Sequence, residues 1–396
     1  MGRAKTGTTP TSKDTGSQRA LRTLNTNKIF DALTRHGAQT QANLARLTGL
    51  SAGTVSNIVR ELVDEGRVTT ESVVASGRRS ALVSLVPDPR IVLGLDVGRS
   101  HMRILASDTS HRTFGRQDLQ VGADLNPHET FTLARGMVDR LIQEHDIDES
   151  KIVQVGIAVP ASAAPQSGRV VQGSVLPHWA SYDLASISAE ILGRPTVLEN
   201  DASLGALAQL TYGSRPASGT VIYIKVASGI GIGIAINGTV YRSTSGLSGE
   251  IGHIQLFDGG DVCYCGNRGC LETLASSRRI VSDLAHVRRN PKTSLDDVIK
   301  GAQQHDPAVR RILAESGSAL GRVVATLANI FGPDVIVLGG PLAPAGQDFL
   351  DPVVHTARQQ ALPAALAETT FVLSEFGDED EVRGACALAL HHLLGS

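Results

Sequence analysis

The chain runs to 396 residues with 37 Lys and Arg against 39 Asp and Glu, a formal net charge of −2; that length excludes one ordinary domain and leaves material for two or three units. The balance hides an asymmetry, since residues up to Arg90 hold 13 basic and 7 acidic side chains and the remainder 24 and 32, the pattern of a nucleic-acid-binding head on an acidic ligand domain. Four cysteines, three of them clustered, and no apolar leader argue against a secreted disulfide scaffold and for a reducing, cytoplasmic setting.

Residues 1–20 are rich in Thr, Ser, Lys and Gly and read as a disordered tail. A small helical unit follows over 21–86. Ile29, Phe30 and Leu33 recur at helical spacing between Asn27 and His36, and Gly37 is the stop. Thr40 caps a second helix, Gln41 to Thr48, with Leu44 and Leu47 turned inward, and Gly49 makes the turn of a helix-turn-helix pair. Ser51 caps a third helix whose Val55, Ile58, Val59 and Leu62 form an inward stripe ending at Gly66. The opposite face carries Gly53, Asn57 and Arg60, flanked by Thr54 and Ser56. Short polar side chains let a helix lie deep in a major groove, where Asn reads adenine and hydroxyls reach bases or phosphates. Two strand-like runs, Arg67 to Thr70 and Ala81 to Val86, bracket Ser76-Gly77-Arg78-Arg79-Ser80 as a wing whose arginines enter a minor groove or clamp phosphates. The candidate contacts to operator DNA are therefore Ser51, Thr54, Ser56, Asn57, Arg60, Arg78 and Arg79. A three-helix module for protein contacts is the other reading of the same pattern.

A Pro-bracketed linker over 87–90 leads to the body. Ile91 to Gly98 is a buried strand running into a turn, with Arg103 to Ala106 as its return strand. An acid, a glycine turn and a hydroxyl in strand-turn-strand, here Asp96-Val97-Gly98-Arg99-Ser100, are how an actin-like ATPase fold holds phosphate and magnesium. Val153 to Val159 is a second buried strand, and Trp179 follows the next loop. At Val197 to Ala202 a strand meets a helix, where Asn200 and Asp201 either cap the helix or offer oxygens to hydroxyl groups. The most apolar segment, Val221 to Ile236, contains Lys225 and several glycines and reads as two strands and a turn rather than a membrane span. Further strands and helices, through Val335 to Leu338 and Ala385 to Leu394, argue for an α/β architecture.

Gly249-Glu250-Ile251-Gly252-His253, followed by Cys263-Tyr264-Cys265 and Cys270-Leu271-Glu272, gathers one histidine and three cysteines in one glycine-rich window. Three thiolates and an imidazole at His253, Cys263, Cys265 and Cys270 complete a tetrahedral zinc site, structural because four protein ligands leave no open position. A disulfide would strain C-x-C and leave an odd cysteine; small unmetallated hydrophobes are the remaining reading. Glu250 and Glu272 are either surface and helix-start acids or members of the same site.

G-E-x-G-H, a gap and C-x-C-G-x-x-G-C-L-E resemble the zinc signature of the ROK family of repressors, uncharacterised frames and sugar kinases, and the likeness extends from the winged head onward. The resemblance implies zinc on His253, Cys263, Cys265 and Cys270. It implies a sugar held by Asn200, Asp201, Glu250, His253 and Glu272, with Asp201 at the kinases' catalytic-base position. It also implies two actin-like lobes, about 91–198 with a C-terminal helix over 380–396, and about 199–379. The head resembles that of the family's repressors, which its kinases lack. Two departures concern phosphate: Arg99 stands where the family's D-x-G-G-T has its second glycine, and Ala227 and Ile232 replace glycines of G-T-G-I-G-G-G. The expectation is a sugar-responsive DNA-binding regulator, a repressor of carbohydrate uptake or catabolism genes without catalytic activity, acting as a homodimer or homotetramer with no membrane partner. The alternative is an ATP-dependent sugar kinase with an accessory head. Selectivity for the sugar is expected around Pro160, Trp179 and Glu272.

Overall fold

The computed structural model describes residues 25–26, 28–30, 32–34, 36–75, 78–86, 88–122, 124–161, 170, 179–180, 182–213 and 219–394, with backbone alone at 73–75 and 78–79. The expected tail and the wing residues Ser76 and Gly77 lie outside them. The described residues up to 89, with 109–111 and 394, cluster as one unit and 90–108 with 112–393 as a second, taken in turn.

In the head, β1 (Gln39–Thr40) leads into α1 (Gln41–Thr48) and α2 (Ala52–Asp64), then β2 (Val68–Ala75) and β3 (Arg78–Leu85). The helix starts are set by local hydrogen bonds: Thr40 Oγ1 accepts from Asn43 N at 3.3 Å and Ser51 Oγ from Thr54 N at 3.1 Å. Gly49 between them takes φ +68°, the left-handed turn that only glycine adopts cheaply. Ile29, Leu33, Leu44, Val55, Ile58, Val59, Leu62, Val68 and Val83 close one core. Leu47, expected inward, is instead 38 % exposed. In a helix of two turns Leu44 takes the core-facing direction, and a residue three positions on is rotated about 60° away from it. The wing also differs from expectation. Strands β2 and β3 pair up to Ala75 and Arg78, so Arg78 and Arg79 belong to a strand and the connection is two residues long. The sheet order is β1-β3-β2. The third-helix pattern is realised: Gly53, Asn57 and Arg60 are exposed, with Thr54 and Ser56 half-buried beside them.

The body contains two five-stranded sheets of one design. The first comprises β4 (Ile91–Val97), β5 (His101–Asp108), β6 (Thr113–Gln120), β7 (Ile152–Val159) and β8 (Thr196–Asn200), in the order β6-β5-β4-β7-β8. The second comprises β9 (Thr220–Val226), β10 (Ile230–Ile236), β11 (Thr239–Val240), β12 (Val335–Gly339) and β13 (Thr370–Leu373), in the order β11-β10-β9-β12-β13. In each, two antiparallel pairings are followed by two parallel ones. The buried strands read as continuous apolar runs because helices cover their faces. Lobe one packs α3 (Pro127–His145) and α4 (Leu184–Leu192) on its sheet; lobe two packs α7 (Ser277–Arg288), α8 (Leu295–Gln303), α9 (Pro307–Phe331) and α10 (Gln347–Gln360). Trp179, expected at the sugar pocket, is in the lobe-one core at 2 % exposure. Its ring packs beside Phe131 and its Nε1 donates to Leu125 O at 3.0 Å, so a large apolar surface and its one donor are both satisfied inside.

Two helices run between the sheets, α5 (Asp201–Thr211) and α11 (Asp380–Leu394). Backbone meets backbone there. A Cβ on Gly384 of α11 would stand 1.9 Å from Leu204 O of α5, and one on Gly156 of β7 would stand 1.9 Å from Ala385 O. Neither neighbour is a flexible tip, so any side chain must separate the elements. Gly384→Ala is therefore expected to lower the stability of the folded chain by about 1–3 kcal/mol. Gly122→Ala, where no atom lies within 4 Å, should stay within about 0.5 kcal/mol. Urea midpoints of the two variants against the parent check this.

Candidate functional site

His253, Cys263, Cys265 and Cys270 come together with one ligand atom from each within 4.8 Å of the others. Cys265 Sγ and Cys270 Sγ are 3.7 Å apart, and Cys263 Sγ is 3.4 Å from His253 Nδ1. All four cysteines are free thiols, so the disulfide reading is removed. The spacing fits zinc: two sulfurs at about 2.3 Å from a tetrahedral ion stand about 3.8 Å apart. Local folding sets this arrangement. Cys263 N donates to Asn267 O at 2.7 Å and Leu256 N to Gly269 O at 2.9 Å, closing the loop on itself. Gly269 has φ +65°, and a Cβ there would stand 2.2 Å from Phe257 O, so the turn that returns Cys270 to the cluster requires glycine.

The imidazole has a second side. While Nδ1 faces the thiols, His253 Nε2 lies 3.9 Å from Glu250 Oε2. Glu272 stands close by at 5 % exposure, with Arg278 Nη2 3.5 Å from its Oε1. Burial pushes the Glu272 carboxyl above the ordinary range, partly opposed by His253 and Arg278. The helix that opens at Glu272 is one turn, α6 (Glu272–Ala275), and it ends there because Ser276 takes an extended conformation and caps α7 by accepting from Arg279 N. The break keeps Glu272 at a helix start.

Asn200 and Asp201 approach from the end of β8. The capping alternative is realised for Asn200, whose Oδ1 accepts from Ala202 N at 3.0 Å and Ser203 N at 3.2 Å. Asp201 Oδ1 also accepts from Ala202 N at 2.7 Å, and its Oδ2 accepts from Lys225 Nζ at 2.8 Å. Both groups of residues border β10: the Cβ direction of Gly231 meets Ala202 Cβ at 3.4 Å and Gly249 O at 3.9 Å. The five residues expected around a sugar thus flank one strand, Asn200 from the end of β8, Asp201 from the start of α5, and three from the cysteine loop and α6.

The phosphate turn has a different occupant from the one its motif suggests. A Cβ on Gly98 would stand 2.1 Å from the His101 ring, and His101 Nε2 is 3.0 Å from Asp96 Oδ2. A histidine side chain uses the close approach that glycine provides. Arg99 reaches toward the cysteine loop, its guanidinium 5.7 Å from the Tyr264 ring centre, and Arg278 stands 4.5 Å from the same ring. Both arginines hold the Tyr264 hydroxyl below its ordinary range, Arg99 by a hydrogen bond and by charge, Arg278 chiefly by charge.

A buried polar network beneath the cleft was missed in the sequence. Lys225 Nζ lies 3.3 Å from Glu381 Oε1 as well as 2.8 Å from Asp201. Tyr223 donates to Asp380 Oδ2 at 2.9 Å, and Gln209 Nε2 to Asp380 Oδ1 at 2.7 Å. A lysine inside an otherwise apolar strand was the available signal, because ammonium groups are almost never buried unpaired.

Known proteins match both the head and the body. A winged helix-turn-helix DNA-binding model matches residues 22–69, and the fold is that of a solved ROK family transcriptional regulator, a homologue of the Escherichia coli Mlc protein. That structure superposes with a TM-score of 0.74 at 23 % identity, over 94 % of this chain and 97 % of the other. Head and two-lobed body together define a transcriptional regulator constructed on a sugar-kinase-like fold. A ROK family model matches residues 92–392: the chain belongs to the ROK family. The xylose repressor of Caldicellulosiruptor bescii is 26 % identical, over 96 % of this chain and 98 % of its own length. A ROK family glucokinase from Streptomyces griseus, solved with glucose and AMPPNP, aligns at 24 % identity and a TM-score of 0.64, covering 76 % of this chain and 99 % of its own. Among the described residues no helix is long and apolar enough to cross a membrane.

The buried acids give a pH dependence. Burial raises Glu381 from 4.5 to about 7 although Lys225 pulls it down, and raises Asp380 to about 6. Between the ordinary and raised values the folded chain keeps protons that the unfolded chain has released, so stability falls as pH rises through that window. Glu381→Gln should flatten the decline between about pH 4.5 and 7. Urea midpoints measured across that range for parent and variant provide the comparison.

Proposed function

We propose that this chain is a sugar-responsive repressor whose head binds an operator and whose cleft binds a carbohydrate. The observation that carries the reading is the joint presence of an exposed helix face for DNA and an intact set of carboxylate, amide and imidazole groups for hydroxyls. Asn57, with Thr54 and Ser56 beside it, reads base edges, Ser51 caps the helix behind them, and Arg60 with the strand residues Arg78 and Arg79 meets phosphates. Asn200, Asp201, Glu250, His253 and Glu272 bind the sugar hydroxyls, charge-assisted hydrogen bonds supplying most of the grip. The alignment to a named xylose repressor over nearly both whole lengths supports the class, and the cleft's open chemistry leaves the particular sugar to experiment.

Zinc on His253, Cys263, Cys265 and Cys270 fixes the loop that presents Glu250 and His253; the soft thiolates and imidazole suit that ion. One imidazole nitrogen on the metal orients the other toward the sugar. The sugar kinase reading is weaker. The glucokinase likeness covers the body without the head, and His101 and Arg99 stand in the turn where phosphate would approach. The chain acts as a homo-oligomer, dimer or tetramer, since paired heads match paired half-sites. Sugar binding changes operator affinity by the difference in its affinity for two states of the protein.

The test is a gel shift on DNA upstream of the chain's own gene, with and without pentoses, hexoses and N-acetylhexosamines. A cognate sugar should alter operator affinity by at least about fivefold; no response to any sugar alongside brisk hexose phosphorylation in a coupled ADP assay would overturn the reading. Asn57→Ala should cost about 1–3 kcal/mol on the operator, and Arg60→Ala should lower the salt slope by about one. The parent should carry about one zinc per chain and Cys265→Ser markedly less, with a weakened sugar response. Metal content by atomic absorption, read beside the gel shift, decides that assignment.

A further inference from the structure

Asp201 of α5 and Glu381 of α11 bring carboxylates to the buried ammonium of Lys225, at 2.8 Å and 3.3 Å, and the carboxylate of Asp96 on β4 lies beyond ion-pair contact but within the electrostatic reach of the same ammonium. Asp96 is 1 % exposed; its Oδ2 has His101 at 3.0 Å and Arg103 at 3.8 Å, while its Oδ1 is buried with no hydrogen-bond partner. The corner has a counterpart relation within the fold. Lys225 is the sixth of seven residues in β9 and Asp96 the sixth of seven in β4, and these are the central strands of two sheets with the same order. Equivalent positions in the two lobes thus carry an ammonium and a carboxylate. Each strand then enters a glycine turn, at Gly98 or Gly229.

Buried carboxylates require a cation, because isolated charges in low dielectric are costly. An oxygen-only set of three acids suits a hard divalent ion of the magnesium or manganese kind. Here the positive charge belongs to the chain itself. We infer that Lys225 is a tethered replacement for a divalent cation: it occupies a carboxylate site made by Asp96, Asp201 and Glu381 and excludes metal from it. Asp201, at the catalytic-base position of the related kinases, is thereby engaged at both oxygens, one by Ala202 N and one by Lys225. Metal-assisted phosphoryl transfer loses its ion and its free carboxylate through one residue. The inference concerns cation binding and holds whichever sugar or operator the chain recognises.

Manganese is the probe, added to the full-length protein already loaded with zinc so that the thiol cluster is filled. Free Mn²⁺ is followed by electron paramagnetic resonance and melting temperature by thermal shift. The parent should leave millimolar Mn²⁺ free and its melting temperature unmoved. Lys225→Met should bind about one Mn²⁺ per chain, at least about tenfold more tightly than the parent, and melt higher as the ion is added. Adding Asp96→Asn to that variant should abolish both effects, and Lys225→Arg, which keeps the charge, should remain silent. A folded Lys225→Met that binds no Mn²⁺ overturns the inference, as does parent protein binding Mn²⁺ at a site sensitive to Asp96→Asn. If Lys225→Met unfolds, Mn²⁺ must restore it, and failure to do so counts equally against the replacement.

Discussion

The backbone contact of α11 with α5 on one side and with β7 on the other is the constraint from which the cleft follows. Gly384 and Gly156 permit an approach that any β-carbon would forbid, so a single helix pair serves two sheets. The start of α11 is consequently driven inward, and Asp380 and Glu381 become buried beneath Tyr223 and Lys225. Glu381 holds Lys225, Lys225 holds Asp201, and Asp201 borders the strand against which the cysteine-loop segment also lies. Loosening the helix seam would disturb the candidate sugar site without touching any residue in it.

The cysteine loop solves a separate problem of precision. An exposed, glycine-rich segment has little apolar burial to define its conformation, and side chains presented from such loops lose precision unless a strong local bond fixes them. Four ligand atoms within 4.8 Å supply that bond when a tetrahedral ion joins them. Because His253 turns one nitrogen to the thiols and the other toward Glu250, rigidity in the metal cluster becomes orientation in the cleft.

The likeness to a solved glucokinase and the presence of a DNA-binding head describe a body whose architecture serves two different ends. Sugar recognition needs carboxylates and amides at the lobe junction; phosphoryl transfer needs, in addition, an open glycine turn and a cation. Candidates for the first set stand at Asn200, Asp201, Glu250, His253 and Glu272. At the phosphate end the space over Gly98 holds His101, and the acids hold lysine. In that corner Lys225 is tied to both Asp201 and Glu381, a fixed arrangement that suits the proposed receptor, whose output is a change in affinity rather than a turnover.

Much of the local structure was legible in the residues alone. Thr40 and Ser51 cap their helices because a side-chain oxygen within three residues of an orphan amide needs no tertiary help. The same short range lets the spacing of His253, Cys263, Cys265 and Cys270 specify a cluster. Errors arose where distant packing overruled local pattern: Leu47 kept helical spacing yet faces out, the wing arginines entered a strand because β2 and β3 continue pairing, and Trp179 went to the lobe-one core. Nothing in the sequence near Lys225 names its partners. Asp201 lies 24 positions away along the chain, and Glu381, far beyond it, arrives only because the last helix folds back between the sheets. Short-range hydrogen bonds and ligand spacing were therefore determined by sequence, while the meeting of charges from separate elements was decided by the tertiary structure, since only the closed fold removes the water that would otherwise satisfy each one.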